Sequence, residues 1–248
     1  MERFFKKRYL TLFEALVLAV CCILAGTALK RQPGEPEKNS QELYAAAVAD
    51  AVTAEEGEVL PLVTITPESD MVTWKEGKVL LETVNNQPEL YLEGETITVP
   101  GEVWTFTDRE LAAWYGEHKK GVTDWTLRLK QLVGVAPDDE YTHVTAMWVS
   151  PDDVRRPAYS TDISDDKMPV SLPEDTPEEY RDWFNGNIIW SYFDSAYPWT
   201  RLGYTYDWAA DSGEYGLTEF WVRPGAEVTV EYTDTIGEYI DRLEQSEK

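Results

Sequence analysis

The sequence predicts an α+β domain, an antiparallel sheet with packed helices, preceded by one N-terminal transmembrane helix. Three observations carry this. Short β-type runs are punctuated by Gly turns. Capped amphipathic segments alternate with those runs instead of forming a regular βαβ series. A basic cluster and a long apolar run open the chain: "MERFFKKRYLTLFEALVLAVCCILAGTALKR".

Residues 1–8 read as a cytoplasmic basic tail carrying Arg3, Lys6, Lys7 and Arg8. Residues 9–29 are long enough to cross ~30 Å of hydrocarbon as a helix. The basic flank holds its end in the cytosol and sends the C-terminus outward. Glu14 is the one charge inside, near the cytoplasmic end, where it can reach the headgroups. The length favours an uncleaved signal anchor. A cleaved signal peptide, with Gly26 and Ala28 as a small-x-small site, and a lipid-modified Cys21 are the alternatives. Bulky Val20 stands where a lipoprotein signal has a small residue. Cys21 and Cys22 are the only cysteines, so the exported part has neither a disulfide nor a thiol nucleophile.

Residues 30–56 read as a polar spacer followed by an Ala-rich helix. Asn39 and Glu42 have capping-box spacing, and Tyr44, Val48 and Val52 recur on one stripe, as in a stalk or a packed helix. Residues 57–248 read as the extracytoplasmic acidic domain. "VLPLVTIT", "MVTW", "KVLLETV", "ELYL", "TITVP" and "EVWTFT" have strand character, with turns at Glu76-Gly77 and Glu93-Gly94. Thr107 and Glu110 form a second capping-box pattern before "DRELAAWYGEHKK". Thr123 is expected to cap "DWTLRLKQLV", which Gly134 ends. "YTHVTAMWV" reads as a strand and "SPDDV" as a short helical turn with Pro at its first position. Residues 156–176 read as a surface loop, and Pro177 with Glu179 opens another helix. "GLTEFWV" and "EVTVEYT", joined by "RPGA", close the sheet, and a charged helix follows from Thr235.

The charge excludes some functions. The whole chain carries -24, and residues 31–248 hold 17 Lys/Arg against 44 Asp/Glu. Such a surface repels phosphate backbones, which argues against nucleic acid as a partner. Hydrophobic residues at 43% and aromatics at 12% argue against disorder. No calcium loop, H-E-x-x-H, Cys/His cluster, P-loop, G-x-G-x-x-G or G-x-S-x-G occurs, so no metal and no cofactor is assigned.

"YPWTRLGYTYDW" is the centre of the aromatic region. Leu202, Tyr204, Tyr206 and Trp208 alternate with polar residues, as in a strand with one aromatic face. Tyr180, Trp183, Phe184 and Ile188 share one side of the preceding helix, so the two surfaces pack as core. Tyr197 and Trp199 lie outside the alternation and are the candidate ligand-binding rings. Glu219 lies among large apolar groups in a strand apolar on both faces. Burial would raise its pKa unless a cation or donors compensate. A structural ion pair with Arg201 or Arg223 is one expectation, with at least half burial and a basic or donor partner. A catalytic carboxyl with Arg201 and His143 as helpers is the other.

The blocks "LRLKQLVGVAPDDEYTHVTAMWVSPDDVRRP", "YPWTRLGYTYDW" and "GLTEFWVRPGAEVTV" together resemble an uncharacterised family of exported bacterial proteins, over about residues 125–236. Those relatives often carry a cysteine where this chain has Ala158. The resemblance implies a bacterial envelope location and brings no activity. "TEFWVRPGAEVTV" also resembles the last hairpin of ADP-ribosyltransferase-type domains, which would make Glu219 the catalytic glutamate. Leu217 departs from that pattern's first Glu, and no Ser-Thr-Ser strand accompanies it. The expected function is a non-enzymatic binding module of the cell envelope. Its partners would be the membrane, through the N-terminal helix, and a cell-wall glycan or an envelope protein. The alternative is an enzyme using Glu219.

Overall fold

The computed structural model describes residues 39–246. The transmembrane segment expected at 9–29 lies outside the described residues. Among those described, no helix is long and apolar enough to cross a membrane. The described residues form one compact unit. It is α+β, with five α-helices and a sheet whose pairings are all antiparallel.

Helix α1, Ser40–Ala51, begins with the capping box expected of Asn39 and Glu42, both reciprocal bonds at 3.0 Å. It is packed rather than free. Tyr44, Ala47 and Ala51 are buried, and Tyr44 meets Trp208 edge-on at 5.7 Å. Residues 59–66 hold no regular strand, although Leu62 and Ile65 are buried under the loop that carries Ile163 and Asp166. Pro61 lacks the N–H that a ladder needs.

Strands β1, Trp74–Lys75, and β2, Lys78–Asn85, form a hairpin around Glu76 and Gly77, both with positive φ, the geometry of a two-residue primed turn. "ELYL" supplies a short 3-10 turn at Pro88–Leu90, and β3, Thr96–Thr98, follows. Then come β4, Val103–Thr107; α2, Asp108–His118; α3, Trp125–Leu132; β5, His143–Val149; and β6, Val154–Arg155. Helix α4, Glu178–Ile189, runs into a π-turn at Trp190–Asp194. β7, Tyr204–Asp207, and β8, Glu214–Thr218, form a separate ribbon. β9, Phe220–Val222, β10, Glu227–Thr235, and α5, Ile236–Ser246, complete the chain.

The sheet order is β3-β10-β5-β2-β4-β9-β6, with β1 on β2. Side chains alternate across β2. Leu80 and Val84 pack with α2, α3 and α5 through Leu111, Leu132, Tyr239 and Ile240. Val79 and Leu81 pack on the other face with Val149, Phe220, Val228 and Val230.

Local chemistry departs from the sequence pattern at several ends. The Thr107–Glu110 box does not form. Glu110 turns inward, and the Thr107 hydroxyl is buried without a partner. Asp124, not Thr123, caps α3, accepting from the Leu127 amide at 2.9 Å. Gly134 takes the positive φ expected after α3. The segment 156–176 is not merely a surface loop. Arg156, Ala158, Tyr159 and Met168 are buried, and the Arg156 guanidinium donates to the carbonyls of Val63, Asp162, Ile163 and Asp165.

Most of the aromatic region is core. Trp199, Phe184, Tyr204 and Leu202 share one cluster, and Tyr206 and Trp208 share another with Tyr44. The polar face of β7 is buried as well. Thr205 donates to the Leu132 carbonyl at 2.7 Å, and Asp207 accepts two bonds from Arg128 at 3.0 and 2.6 Å. A charge-assisted pair of bonds of this kind compensates the burial of both groups.

Candidate functional site

The site begins with a fault in the sheet. β2 and β4 pair only at Leu81–Thr107 and Glu82–Phe106. Beyond that point Val103, Trp104 and Thr105 pair instead with Val222, Trp221 and Phe220 of β9. The two strands therefore part, and Thr83, Val84 and Asn85 face the parted β4 across an opening of about 600 Å³. That volume falls in the range of small-ligand sites.

One wall carries Trp104, Phe106 and Glu102; the others carry Tyr44, Tyr91, Tyr141, Trp190 and Tyr197. Thr205, Ser195, Asn85, Asn86, Gln87, Asp139 and Glu219 supply polar groups. Among the described residues, no Lys, Arg or His lines the opening. Glu102 accepts from the indole N–H of Trp183 at 2.8 Å, and Trp183 stacks on Trp221 at 4.8 Å. Trp104 meets Tyr197 and Trp199 edge-on at 6.2 and 6.3 Å.

Glu219 sits where the chain changes partners. Thr218 still pairs with Tyr204 of β7, and Phe220 already pairs with Thr105 of β4. Between them the Glu219 amide donates to the Gly203 carbonyl at 2.9 Å. Its carboxyl lines the opening, yet the residue is only 3% exposed. Burial pushes it up to about 8, against a lowering by the Tyr197 hydroxyl. No ion pair reaches it among the described residues. The Tyr197 hydroxyl also donates to the Val133 carbonyl at 3.1 Å, so its support of an ionised Glu219 is shared and burial outweighs it.

Of the residues singled out in the sequence, the structure brings Glu219 and Tyr197 together. It separates the others from them. Trp199 is not an exposed ring. It is 1% exposed and donates its indole N–H to the Pro157 carbonyl at 2.8 Å, because the helix stripe of Trp183 and Phe184 closes over it. The exposed rings are Trp190 and Phe193, at 53% and 77%. Arg201 does not pair with Glu219. Its guanidinium donates to the Ala51 and Val52 carbonyls at 2.9 and 2.8 Å, where a cation meets the negative end of α1. Arg223 pairs with Asp153. His143, at the start of β5, bonds Thr142 at 2.8 Å and is not among the lining residues.

Sequence reasoning missed Trp104, Trp190, Glu102 and Asp139. Each lies in an unremarkable strand, helix end or loop, and only the parting of β2 from β4 assembles them.

Elsewhere, Asp50, Glu58 and Glu214 place carboxylate oxygens within 4.8 Å of one another. Oxygen donors of this kind suit a hard cation. Tyr206 donates to Asp50 at 3.0 Å, and Glu58 and Glu214 are raised by burial and then by the Asp50 charge. Their separation in sequence matches no metal-ligand spacing.

No protein-family model, curated protein or solved structure matches the chain. The chemistry of the opening is therefore what bears on function.

Proposed function

We propose that this is a membrane-anchored extracytoplasmic protein of the bacterial cell envelope, and that its domain is a binding module for a wall glycan or a neighbouring envelope protein. The observation that carries the binding reading is the cleft between β2 and β4. It is concave and lined by aromatic rings interspersed with polar and acidic groups, a mixture suited to holding and orienting a small ligand. The N-terminal basic cluster and apolar run support the anchored location. So does the resemblance to exported bacterial proteins.

Two measurements test the two halves. Protease treatment of intact cells should remove residues beyond about 31; protection until lysis would place the domain inside. Titration of the protein with wall-derived oligosaccharides should quench tryptophan fluorescence saturably. Trp190→Ala should weaken that response without loss of fold. A linear, unsaturable response would remove the binding reading.

A second reading rests on Glu219 alone. A carboxyl held near 8 inside a cleft is equipped to donate a proton at neutral pH. Turnover of a wall oligosaccharide that Glu219→Gln abolishes, with binding retained, would make the module an enzyme.

A further inference from the structure

The cleft has a charge asymmetry that narrows its ligand. Glu102, Asp139 and Glu219 bring carboxyl groups to its walls, and no basic side chain among the described residues lines it. Lys130, close in sequence to the lining residue Val133, directs its ammonium away to the Pro137 and Asp139 carbonyls at 2.6 and 3.2 Å. Aromatic rings occupy the same walls: Trp104 and Tyr197 inside, and Trp190 at the exposed end of α4. Electron-rich ring faces attract cations, more strongly where water is excluded. An anionic ligand would meet like charge with nothing to compensate it. The acidic field of the whole chain would also concentrate cations at the mouth.

We propose that the cleft binds an organic cation, an ammonium group held against the Glu219 carboxyl and enclosed by the rings of Trp104, Tyr197 and Trp190. This rests on the binding reading above and names the chemistry of its ligand. Glu219 is the one buried carboxyl of the three, and it has a phenol beside it but no counter-charge. An incoming ammonium supplies that charge, and the carboxyl releases its proton to solvent. Two sources share this chemistry, a quaternary ammonium head of choline type and an amine-bearing sugar.

The test uses the full chain in a polyoxyethylene detergent, which carries neither sugar nor ammonium. Calorimetric titrations at pH 7 compare choline, a glucosamine oligosaccharide and the same oligosaccharide fully N-acetylated. At least one cation should bind at least tenfold tighter than the acetylated sugar. Tighter binding of choline identifies a quaternary head; tighter binding of the glucosamine oligosaccharide identifies an amine-bearing sugar. Glu219→Gln should weaken the cation at least tenfold. Trp190→Ala, at an exposed position that folding does not need, should weaken it at least threefold. Acetylated sugar binding as tightly as both cations would overturn the cation and leave the cleft reading standing. No saturable heat from any of the three, in protein with an intact melting transition, would overturn both.

Discussion

The Glu110 carboxyl accepts from the Thr218 amide at 3.0 Å and from the Thr218 hydroxyl at 2.9 Å. These bonds cross from α2 to the last residue of β8, one position before Glu219. They take up the Thr218 amide, which frees the chain to turn from β7 toward β4. The same bonds explain why Glu110 abandons the cap of its own helix. Burial pushes Glu110 up to about 7, against the Thr218 bonds and the charge of Arg156. Glu110→Ala leaves the Thr218 amide and the buried Arg156 guanidinium without it. A loss of ~2–3 kcal/mol is expected, the scale for leaving buried donors unsatisfied. Glu110→Gln, which can still accept, should lose less, ~1 kcal/mol. Denaturant midpoints of the two variants check the order; equal losses would mean that the bonds contribute nothing.

Trp199→Ala should destabilise the domain by ~3–5 kcal/mol, the cost of emptying a large buried aromatic site. Trp190→Ala should change stability by no more than about 0.5 kcal/mol. Thermal melts of the two side by side separate the core ring from the ring at the cleft mouth. A stable Trp199→Ala protein would contradict the packing around it.

Gly216→Ala should prevent normal folding of the β7–β8 ribbon. A Cβ there would lie 2.2 Å from the Thr205 hydroxyl oxygen, 2.4 Å from the Leu132 carbonyl oxygen and 2.6 Å from that of Thr205. Two of these are backbone atoms, held where α3 meets the ribbon, so they cannot step aside cheaply. A loss of ~3 kcal/mol or more is expected, at the upper end of what overpacking costs. A melting temperature equal to wild type would show that α3 is further from β8.

The parts of the fold legible in the sequence were those fixed by local chemistry. Asn39 and Glu42 cap α1, Gly134 ends α3 and Glu76-Gly77 turns the first hairpin, each through bonds or dihedrals within a few residues. The alternation indicated burial of Leu202 and Tyr204 against the stripe of α4, which the structure shows, whereas Tyr206 and Trp208 pack instead on Tyr44 of α1. What failed was tertiary. Glu110 has the spacing of a cap and spends its carboxyl on Thr218, far along the chain. "GLTEFWV" reads as one strand and is split at Glu219, because its two halves pair with different neighbours. Trp199 lies outside the alternation and is buried all the same, covered by a helix whose position the spacing does not encode. The cleft was illegible for the same reason, since the parting of β2 from β4 is a matter of register between distant segments.

Stability should fall as pH rises from about 5 to 9. Glu82 is buried on β2, where the Tyr232 and Tyr239 hydroxyls donate to it, the latter at 2.8 Å, and burial pushes it up to about 8. Its folded-state pKa lies above the unfolded value of ~4.3. The folded state therefore holds the proton more tightly. Its contribution is complete below the unfolded pKa and is lost as pH rises through about 8. Glu219 and Glu110 act in the same direction. Repulsion within so acidic a chain also grows with pH, so Glu82→Gln isolates the buried group. That variant should flatten the decline in melting temperature between pH 5.5 and 8.5. A slope identical to wild type would mean that Glu82 titrates alike in both states.

Glu219→Gln divides structure from function at the cleft. The amide keeps the shape of the carboxyl and, like the protonated carboxyl, carries no charge, so the folded state loses little while Glu219 is protonated. At pH 6 the variant should melt within a degree or two of wild type. Above pH 8 the wild-type carboxyl must ionise beside Tyr197 without a cation, while the amide carries no charge. The variant should then be the more stable of the two. Ligand binding should move the other way, lost at every pH because glutamine cannot supply the charge. Tyr197→Phe removes the phenol oxygen and deepens the isolation of Glu219. It should raise the pKa of that carboxyl further, read as a shift of the wild-type stability decline to higher pH. If Glu219→Gln instead loses stability equally at pH 6 and pH 9, the carboxyl is ionised throughout and holds a structural partner, and the cleft has no charge to offer a ligand.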